Sequence, residues 1–181
     1  MDQNLKWFYD LKAKEITKLL LHKEYDAILV KDLNELKNIL ISKIPSSESL
    51  VLDQTPFLNS LELLFPLSKK GCRIYDYKKE QQAILADNFI AECDFITENG
   101  ELIFLDNFAS SASIFGPNKI FAIVGINKFV KNLIEAEKKM PEILEIRNHF
   151  NDTNDSFGII HHGRKFPNKY TVLVVPENIG F

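Results

Sequence analysis

Residues 119–128 have the sequence KIFAIVGINK, which joins a continuously apolar run to a glycine-containing turn. A run as apolar as Ile120 to Val124 is typical of a strand that is buried on both faces of a parallel sheet. Gly125 ends the run, and we expect a long helix to begin at Asn127. A buried strand that leads directly into a helix is the basic unit of an α/β fold.

Strand and helix patterns alternate on both sides of this segment. The predicted strands are 25–30, 49–53, 73–77, 93–97, 119–125, 158–161 and 170–175. The predicted helices are 1–22, 33–43, 56–68, 79–92 and a long one from 127. In the last helix, Pro141 either makes a kink or opens a second helix to 149. Such alternation predicts an α/β fold with a mainly parallel sheet flanked by helices.

Local signals fix several of these boundaries. Asp32 with Glu35 three residues later resembles a capping box, and Thr55 before Pro56 is typical of a helix start. The pair Asn99-Gly100 lies between two β-rich runs. It predicts a hairpin with a two-residue turn, in which both turn residues have positive φ. This hairpin adds an antiparallel edge to the sheet.

The composition excludes several classes of protein. The 181 residues are 45% hydrophobic and 26% charged, which fits one globular domain over 1–181, with the helix 1–22 at its periphery as an open alternative. The net charge of −3 and the lack of a basic patch argue against nucleic-acid binding. No apolar stretch approaches 18 residues and the first 25 are charged throughout, so we expect a cytoplasmic protein without a membrane span or signal peptide.

The seven glycines are too sparsely placed for three common enzyme signatures. The sequence contains no G-x-G-x-x-G dinucleotide loop, no G-x-x-x-x-G-K-[ST] phosphate loop and no G-x-S-x-G nucleophile elbow. Whether the protein is an enzyme stays open on this evidence.

Residues that follow predicted strands are the candidates for a binding site. Gly125, Asn127 and Lys128 follow the buried strand, and ligands of open α/β sheets bind outside such strand ends. Gly125 would allow close approach, Asn127 would cap the next helix, and Lys128 could attract an anion at its amino terminus. The alternative is an ordinary strand-to-helix turn with an exposed lysine.

Two further strand ends carry polar side chains. Asp106 and the nearby Ser110 could hydrogen-bond a hydroxylated substrate, or one of them could simply cap a short helix. Asp53 follows the second predicted strand and is the third candidate position.

Metal and redox sites have weak support in the sequence. His149, Asp152 and Asp155 have a spacing conceivable for a metal, but loop carboxylates near a helix end are usually solvated. His161 and His162 would point to opposite faces of a strand. The two cysteines, Cys72 and Cys93, are too few for a thiolate metal site and resemble small core residues. We therefore expect neither a metal nor a cofactor.

Five motifs together resemble those of the LUD-domain family, of the lactate-utilisation protein C (YkgG) type. They are ITENGEL at 96–102, Asp106, IFGPNK at 114–119, VGINK at 124–128 and the closing KYTVLVVPENIGF at 169–181. The family's typical run is I-T-E-D/N-G-E-L, an aspartate, I-F-G-P and V-G-x-N-K, with E-x-L-G-F near the end. The resemblance covers the chain from about residue 10 to residue 181.

The resemblance implies a NagB/RpiA/CoA-transferase-like fold and a role beside iron–sulfur partner proteins in oxidising L-lactate or a similar hydroxy acid. Three segments depart from the family pattern. Residues 148–158 lack the cysteines that many relatives carry there. Residues 53–56 replace the family's glycine-rich turn, and residues 107–111 replace its glycine-and-arginine segment in a shortened form. We therefore expect an accessory subunit without a redox centre, which docks onto iron–sulfur oxidoreductase subunits.

The alternative is a protein that binds a small anionic metabolite, or an enzyme of the sugar-phosphate isomerase or CoA-transferase type. Its site would combine Asp53, Asp106, Asn127 and Lys128. Lys128 would hold a carboxylate or phosphate while an aspartate acts as base.

Overall fold

The computed structural model describes residues 2–105, 107–148 and 157–180, and for residues 107, 147 and 148 it describes the backbone only. The helices are α1 (Gln3–His22), α2 (Leu33–Lys43), α3 (Pro56–Ser60), α4 (Leu64–Lys70), α5 (Asn107–Phe115) and α6 (Leu133–Asn148). The strands are β1 (Asp26–Leu29), β2 (Ser49–Leu52), β3 (Arg73–Tyr75), β4 (Asn88–Glu92), β5 (Phe95–Thr97), β6 (Leu102–Leu105), β7 (Lys119–Gly125), β8 (Phe129–Val130), β9 (Phe157–Ile160) and β10 (Tyr170–Val175).

The main sheet has six strands in the order β1-β10-β7-β4-β2-β3, and all neighbouring pairs are parallel. β7 lies in the interior of this sheet, between β10 and β4, and is buried from Ile120 onward. The prediction of a buried parallel strand is confirmed. Because the strands run in one direction, the residues that follow them gather at a single edge, the carboxyl edge of the sheet.

Apolar side chains alternate between the two faces of the main sheet, and a different set of helices covers each face. On one face Ala122 and Val124 pack with residues of α1 and α5. On the other face Phe121 and Ile123 pack with residues of α2, α3 and α4. The predicted α/β class, a mainly parallel sheet flanked by helices, is confirmed.

A second sheet of four strands has the order β8-β5-β6-β9. The predicted hairpin is its centre, with β5 and β6 antiparallel, so the hairpin is not an edge of the main sheet. One face of this sheet joins the α1 and α5 side of the core through Ile96 and Phe104. The other face packs on α6, where Phe95 and Ile103 contact Ala136 and its neighbours.

The hairpin turn differs from the prediction. Gly100 has φ +76° whereas Asn99, also in the described part of the chain, is not left-handed. Gly100 N donates to Thr97 O, and Thr97 N donates to Glu101 O. This is the pattern of a three-residue loop whose last residue is a left-handed glycine in a bulge, so only one positive φ is needed.

The predicted helix over 79–92 is wrong. Residues 81–85 form a short 3-10 turn, and Asn88–Glu92 is strand β4. β4 lies between β2 and β7, and all five of its residues are buried. Tertiary pairing on both sides therefore overrides a local pattern that looked helical.

Two other helix predictions are also corrected. The helix expected over 56–68 is divided into α3 and α4, with Glu62 between them in the left-handed region at φ +51°. The helix expected from Asn127 begins at Leu133, after a 3-10 turn (Ile126–Lys128) and strand β8. Pro141 lies inside α6 and does not open a second helix. The helix over 33–43 is confirmed, with the Asp32 side chain accepting from Glu35 N.

Candidate functional site

The carboxyl edge of the main sheet brings charged and polar residues together from adjacent strands. Asp53 follows β2, Glu92 ends β4, and Asn127 and Lys128 follow β7. β4 is hydrogen-bonded to both β2 and β7. Three separate parts of the sequence therefore end at this edge of the sheet.

Glu92 and Lys128 form an ion pair that is closed off from water. Lys128 Nζ lies 2.9 Å from Glu92 Oε1, and the two side chains are 1% and 2% exposed. Charges are rarely buried unless they are paired, because removing an isolated ion from water costs several kcal/mol. Lys128 is thus not the exposed lysine of an ordinary turn, and its nearest described acid is a residue that the sequence analysis did not select.

Lys128 is also not at the amino terminus of a helix. It ends the 3-10 turn that follows β7, and strand β8 comes next. The helix macrodipole invoked from the sequence is therefore absent at this position, and the positive charge available here is that of the lysine itself.

Asn127 binds the carboxyl-terminal segment of the chain. Its Nδ2 donates to Ile179 O at 3.0 Å, and its Oδ1 accepts from Ile179 N at 3.0 Å. The predicted role of Asn127 as a helix cap is wrong, because its amide is used on a backbone 52 residues away. The side chain instead fixes residues 177–180 against the carboxyl edge.

Gly125 and Gly180 allow this segment to lie close to the sheet. A Cβ on Gly125 would be 2.7 Å from Glu177 O, so the space that glycine leaves is filled by the protein's own backbone. Gly180 has φ +58°, and a Cβ there would overlap the Glu92 carboxylate. The segment 177–180 therefore covers the Glu92–Lys128 pair.

Asp53 and Ser110 are both buried and belong to different elements. Asp53 is buried and its backbone N donates to Ile90 O at 2.9 Å, which continues the β2–β4 pairing by one residue. Ser110 is buried in α5, where its carbonyl accepts from the Ser113 hydroxyl. Asp106, the remaining candidate, lies outside the described residues.

Glu92 was missed because the sequence analysis placed it at the end of a helix. The apolar triplet Phe89-Ile90-Ala91 directly before it is the signal that could have indicated a buried strand. Asp94, two residues later, is buried as well, and its Oδ2 accepts from Leu105 N at 2.7 Å. Asp94 thereby fixes the point at which the chain leaves the main sheet for the second one.

The cysteines and histidines occupy different environments in the described part of the chain. Cys72 and Cys93 are both buried and free, on opposite faces of the main sheet, and burial raises the pKa of the Cys93 thiol far above its ordinary value. His161 follows β9, and its Nδ1 lies 3.1 Å from Glu101 Oε1 at the surface. The strand ends at Ile160, so the two histidines do not alternate on it as predicted.

Metal-ligating side chains do not gather in the described ranges, where no group of three or more His, Cys, Asp and Glu residues could hold an ion. His149, Asp152 and Asp155, whose spacing is conceivable for a metal site, lie outside the described residues. None of the described helices has the length and apolar character needed to cross a membrane.

The comparison with family models decides the classification. Residues 13–175 match the model of the LUD domain. The chain belongs to the LUD-domain family. Membership is consistent with a protein related to lactate utilisation, and it confirms the resemblance seen in the sequence. No functionally curated protein matches this LUD-domain chain.

Solved structures place the LUD-domain chain among known folds. A DUF162 family protein from Deinococcus radiodurans is similar at 15% identity and TM-score 0.62, over 92% of this chain and 98% of that one. eIF2B delta from Chaetomium thermophilum aligns over 81% of this chain and 57% of its own, at 12% identity and TM-score 0.45. A D-ribose-5-phosphate isomerase aligns over 83% and 68%, at 16% identity and TM-score 0.32. The first likeness shows a shared fold.

Proposed function

We propose that this LUD-domain protein is a cytoplasmic accessory subunit of an iron–sulfur-dependent system that oxidises L-lactate or a similar hydroxy acid. In this proposal the redox centres belong to partner subunits, and the chain contributes a docking surface. Family membership supports the link to lactate utilisation.

An exposed apolar patch on α1 carries the docking part of the proposal. Leu5, Trp7, Phe8 and Leu11 are all exposed, Trp7 to 66%. Residues three and four apart are neighbours on a helix, so these side chains form one patch rather than four isolated contacts. Large contiguous apolar patches on a protein surface mark interaction sites. The patch lies on the part of α1 that precedes residue 13, where the match to the LUD model begins.

The state of the two cysteines supports the assignment of redox centres to other subunits. Thiolate ligands of a cluster must be deprotonated and accessible. Cys93 is fully buried with a raised pKa, and Cys72 is buried with its Sγ near Pro45 O at 3.5 Å. Both thiols therefore suit core packing better than metal binding.

Affinity purification of the tagged chain from anaerobic lysate of the source organism tests the proposal. We expect iron–sulfur oxidoreductase subunits to co-elute with the wild-type chain, and to be lost with the double variant Trp7→Ala/Phe8→Ala. The double variant Leu85→Ala/Phe115→Ala is the matched control, because its side chains are also large, apolar and exposed but lie on other elements. Deletion of the gene should lower L-lactate oxidation in extracts.

Two results would count against the proposal. L-lactate oxidation that is unchanged by deletion would remove the functional link. Equal recovery of partners with both double variants would remove the role of α1, provided that both variants unfold at the wild-type temperature.

A second candidate function is favoured by the charges at the carboxyl edge. Asp53, Glu92, Asn127 and Lys128 meet where open α/β sheets bind ligands. A protein that binds a small anionic metabolite, or an enzyme of the sugar-phosphate isomerase or CoA-transferase type, would use Lys128 for the anion and an aspartate as base. For this to happen the anion must share Lys128 with Glu92, and segment 177–180 must move.

Thermal unfolding with inorganic phosphate, L-lactate and ribose 5-phosphate tests this second candidate. A rise in melting temperature that is lost in Lys128→Met would support it. The variant Lys119→Met, which removes a half-exposed lysine from the opposite end of β7, is the control. An equal rise in both variants would exclude Lys128 as the anion site.

A further inference from the structure

Helices α2, α3 and α4 enclose a groove of about 720 Å3 near the end of strand β2. Leu52, the last residue of β2, contributes to its lining together with Leu58 of α3 and Leu63. These three side chains are buried against the main sheet. Pockets for small molecules have volumes of about 300–1,000 Å3 and a mostly apolar lining, so the groove has the size and character of a binding site.

Two features set the positions of the helices around the groove: hydrogen bonds join the ends of α2 and α4, and a break in the chain direction separates α3 from α4. Lys70, the last residue of α4, donates from Nζ to the carbonyls of Ile41 and Ile44 at the end of α2. Between α3 and α4, Glu62 adopts φ +51°, a backbone conformation that costs energy for a residue with a side chain. The first residues of α4, including the 77%-exposed Phe65, therefore form an open apolar wall instead of continuing α3.

Charge at the groove narrows the class of ligand. Lys37 of α2 is half-buried in the lining, and no ion pair joins it to the rest of the described chain. Glu62 also borders the groove but is exposed to solvent. One lysine can hold one negative charge, whereas a dianion such as a phosphate would also be repelled by Glu62. The remaining lining is mainly apolar, which disfavours a sugar.

We propose that this groove binds an aliphatic monocarboxylate, with the carboxylate at Lys37 and the hydrocarbon chain along the accessible lining residues Leu64, Phe65 and Pro66. The proposal is separate from the proposed function, since it uses neither the α1 patch nor the Glu92–Lys128 pair. The groove would thus give the protein a site for a small amphipathic acid on the α2, α3 and α4 side of the sheet.

Isothermal titration calorimetry with hexanoate, octanoate and decanoate, below micelle formation, tests the apolar part of the site. Burial of each additional CH2 group should tighten binding by about fourfold. Octanol and octylamine carry the same chain without the negative charge, and we expect both to bind more weakly than octanoate. Equal affinity for all three eight-carbon compounds would overturn the role of Lys37.

Variants on exposed positions locate the site without disturbing the core. Lys37→Gln should weaken octanoate binding by about fivefold to tenfold, as expected for a half-exposed charge-assisted contact, and leave octanol binding unchanged. Lys69→Gln is the matched control, because Lys69 is an exposed lysine of α4 outside the lining. Phe65→Ala should weaken the binding of all three acids. Phe115→Ala, which replaces an 83%-exposed phenylalanine outside the groove, should leave their binding unchanged.

Two outcomes would overturn the proposal. The first is equal octanoate affinity in Lys37→Gln and Lys69→Gln, and the second is equal affinity in Phe65→Ala and Phe115→Ala. Amide chemical shifts in NMR spectra would show independently whether octanoate perturbs residues 58–66, as the proposal requires, or another part of the surface, which would contradict it.

Discussion

Replacing Lys128 with methionine removes one half of the buried Glu92–Lys128 ion pair while keeping most of the side-chain volume. The Glu92 carboxylate then stays 2% exposed without its cation. Breaking a buried pair in this way costs about 3–5 kcal/mol, because the remaining charge is uncompensated. For a chain of 181 residues we expect the melting temperature to fall by about 6–20 °C.

The converse variant and the double variant complete a thermodynamic cycle. Glu92→Gln should also destabilise, because the buried Lys128 ammonium loses the carboxylate that lies 2.9 Å from it. The double variant Glu92→Gln/Lys128→Met has no charge at either position and should be less destabilised than the sum of the two single variants. The free energies of unfolding from urea titration then give the interaction between the two residues as the deviation from additivity.

An exposed ion pair with nearly the same geometry provides the control. Arg164 and Glu24 approach to 2.8 Å, but both side chains are largely exposed to water. Glu24→Gln should leave the urea midpoint unchanged, since solvent screens such pairs. If Lys128→Met and Glu92→Gln also leave the free energy of unfolding within about 1 kcal/mol of wild type, burial of the pair is not what stabilises this edge.

Three other variants test separate parts of the fold by urea titration. Gly180→Ala should destabilise the protein by more than about 1 kcal/mol, because residue 180 has φ +58° and because the added Cβ would overlap Glu92. If this variant is as stable as the wild-type protein, segment 177–180 does not cover the pair. Gly100→Val should cost about 1 kcal/mol or more at φ +76°, and no loss would contradict the hairpin. Hydrogen bonds from the Ser49 hydroxyl and amide lower the pKa of Asp87, so its stabilisation is present above about pH 4 and is lost as the pH falls further. Asp87→Asn should flatten that acid dependence, and an unchanged slope would contradict it.

The sequence was sufficient where a local signal and the tertiary structure agree. The apolar run Ile120–Val124 is buried because β7 lies between β10 and β4, so its composition and its position indicate the same structure. The Asn99-Gly100 turn was located correctly because glycine tolerates positive φ. The length of its loop was not predicted correctly, because the hydrogen bonds that distinguish a three-residue loop from a two-residue turn involve Thr97 and Glu101.

The site could be predicted only in part, because its decisive contacts join distant residues. Asn127 was selected as a helix cap, but its partner Ile179 is 52 residues away and no local pattern reveals it. Lys128 was selected without Glu92, because β4 becomes a strand only when β2 and β7 pair with it. Gly125 was expected to allow a ligand or the backbone to approach closely, and the structure has the chain's own Glu177 carbonyl there, which no local pattern reveals.

Reconstitution of L-lactate oxidation from purified components tests the proposed function most directly. Iron–sulfur subunits that co-purify with the chain would be assayed anaerobically for lactate-dependent dye reduction, with increasing amounts of wild-type chain or Trp7→Ala/Phe8→Ala. We predict that the wild-type chain raises the rate and saturates at a fixed stoichiometry, and that the variant fails to do so. A rate that does not depend on the chain would contradict the accessory role.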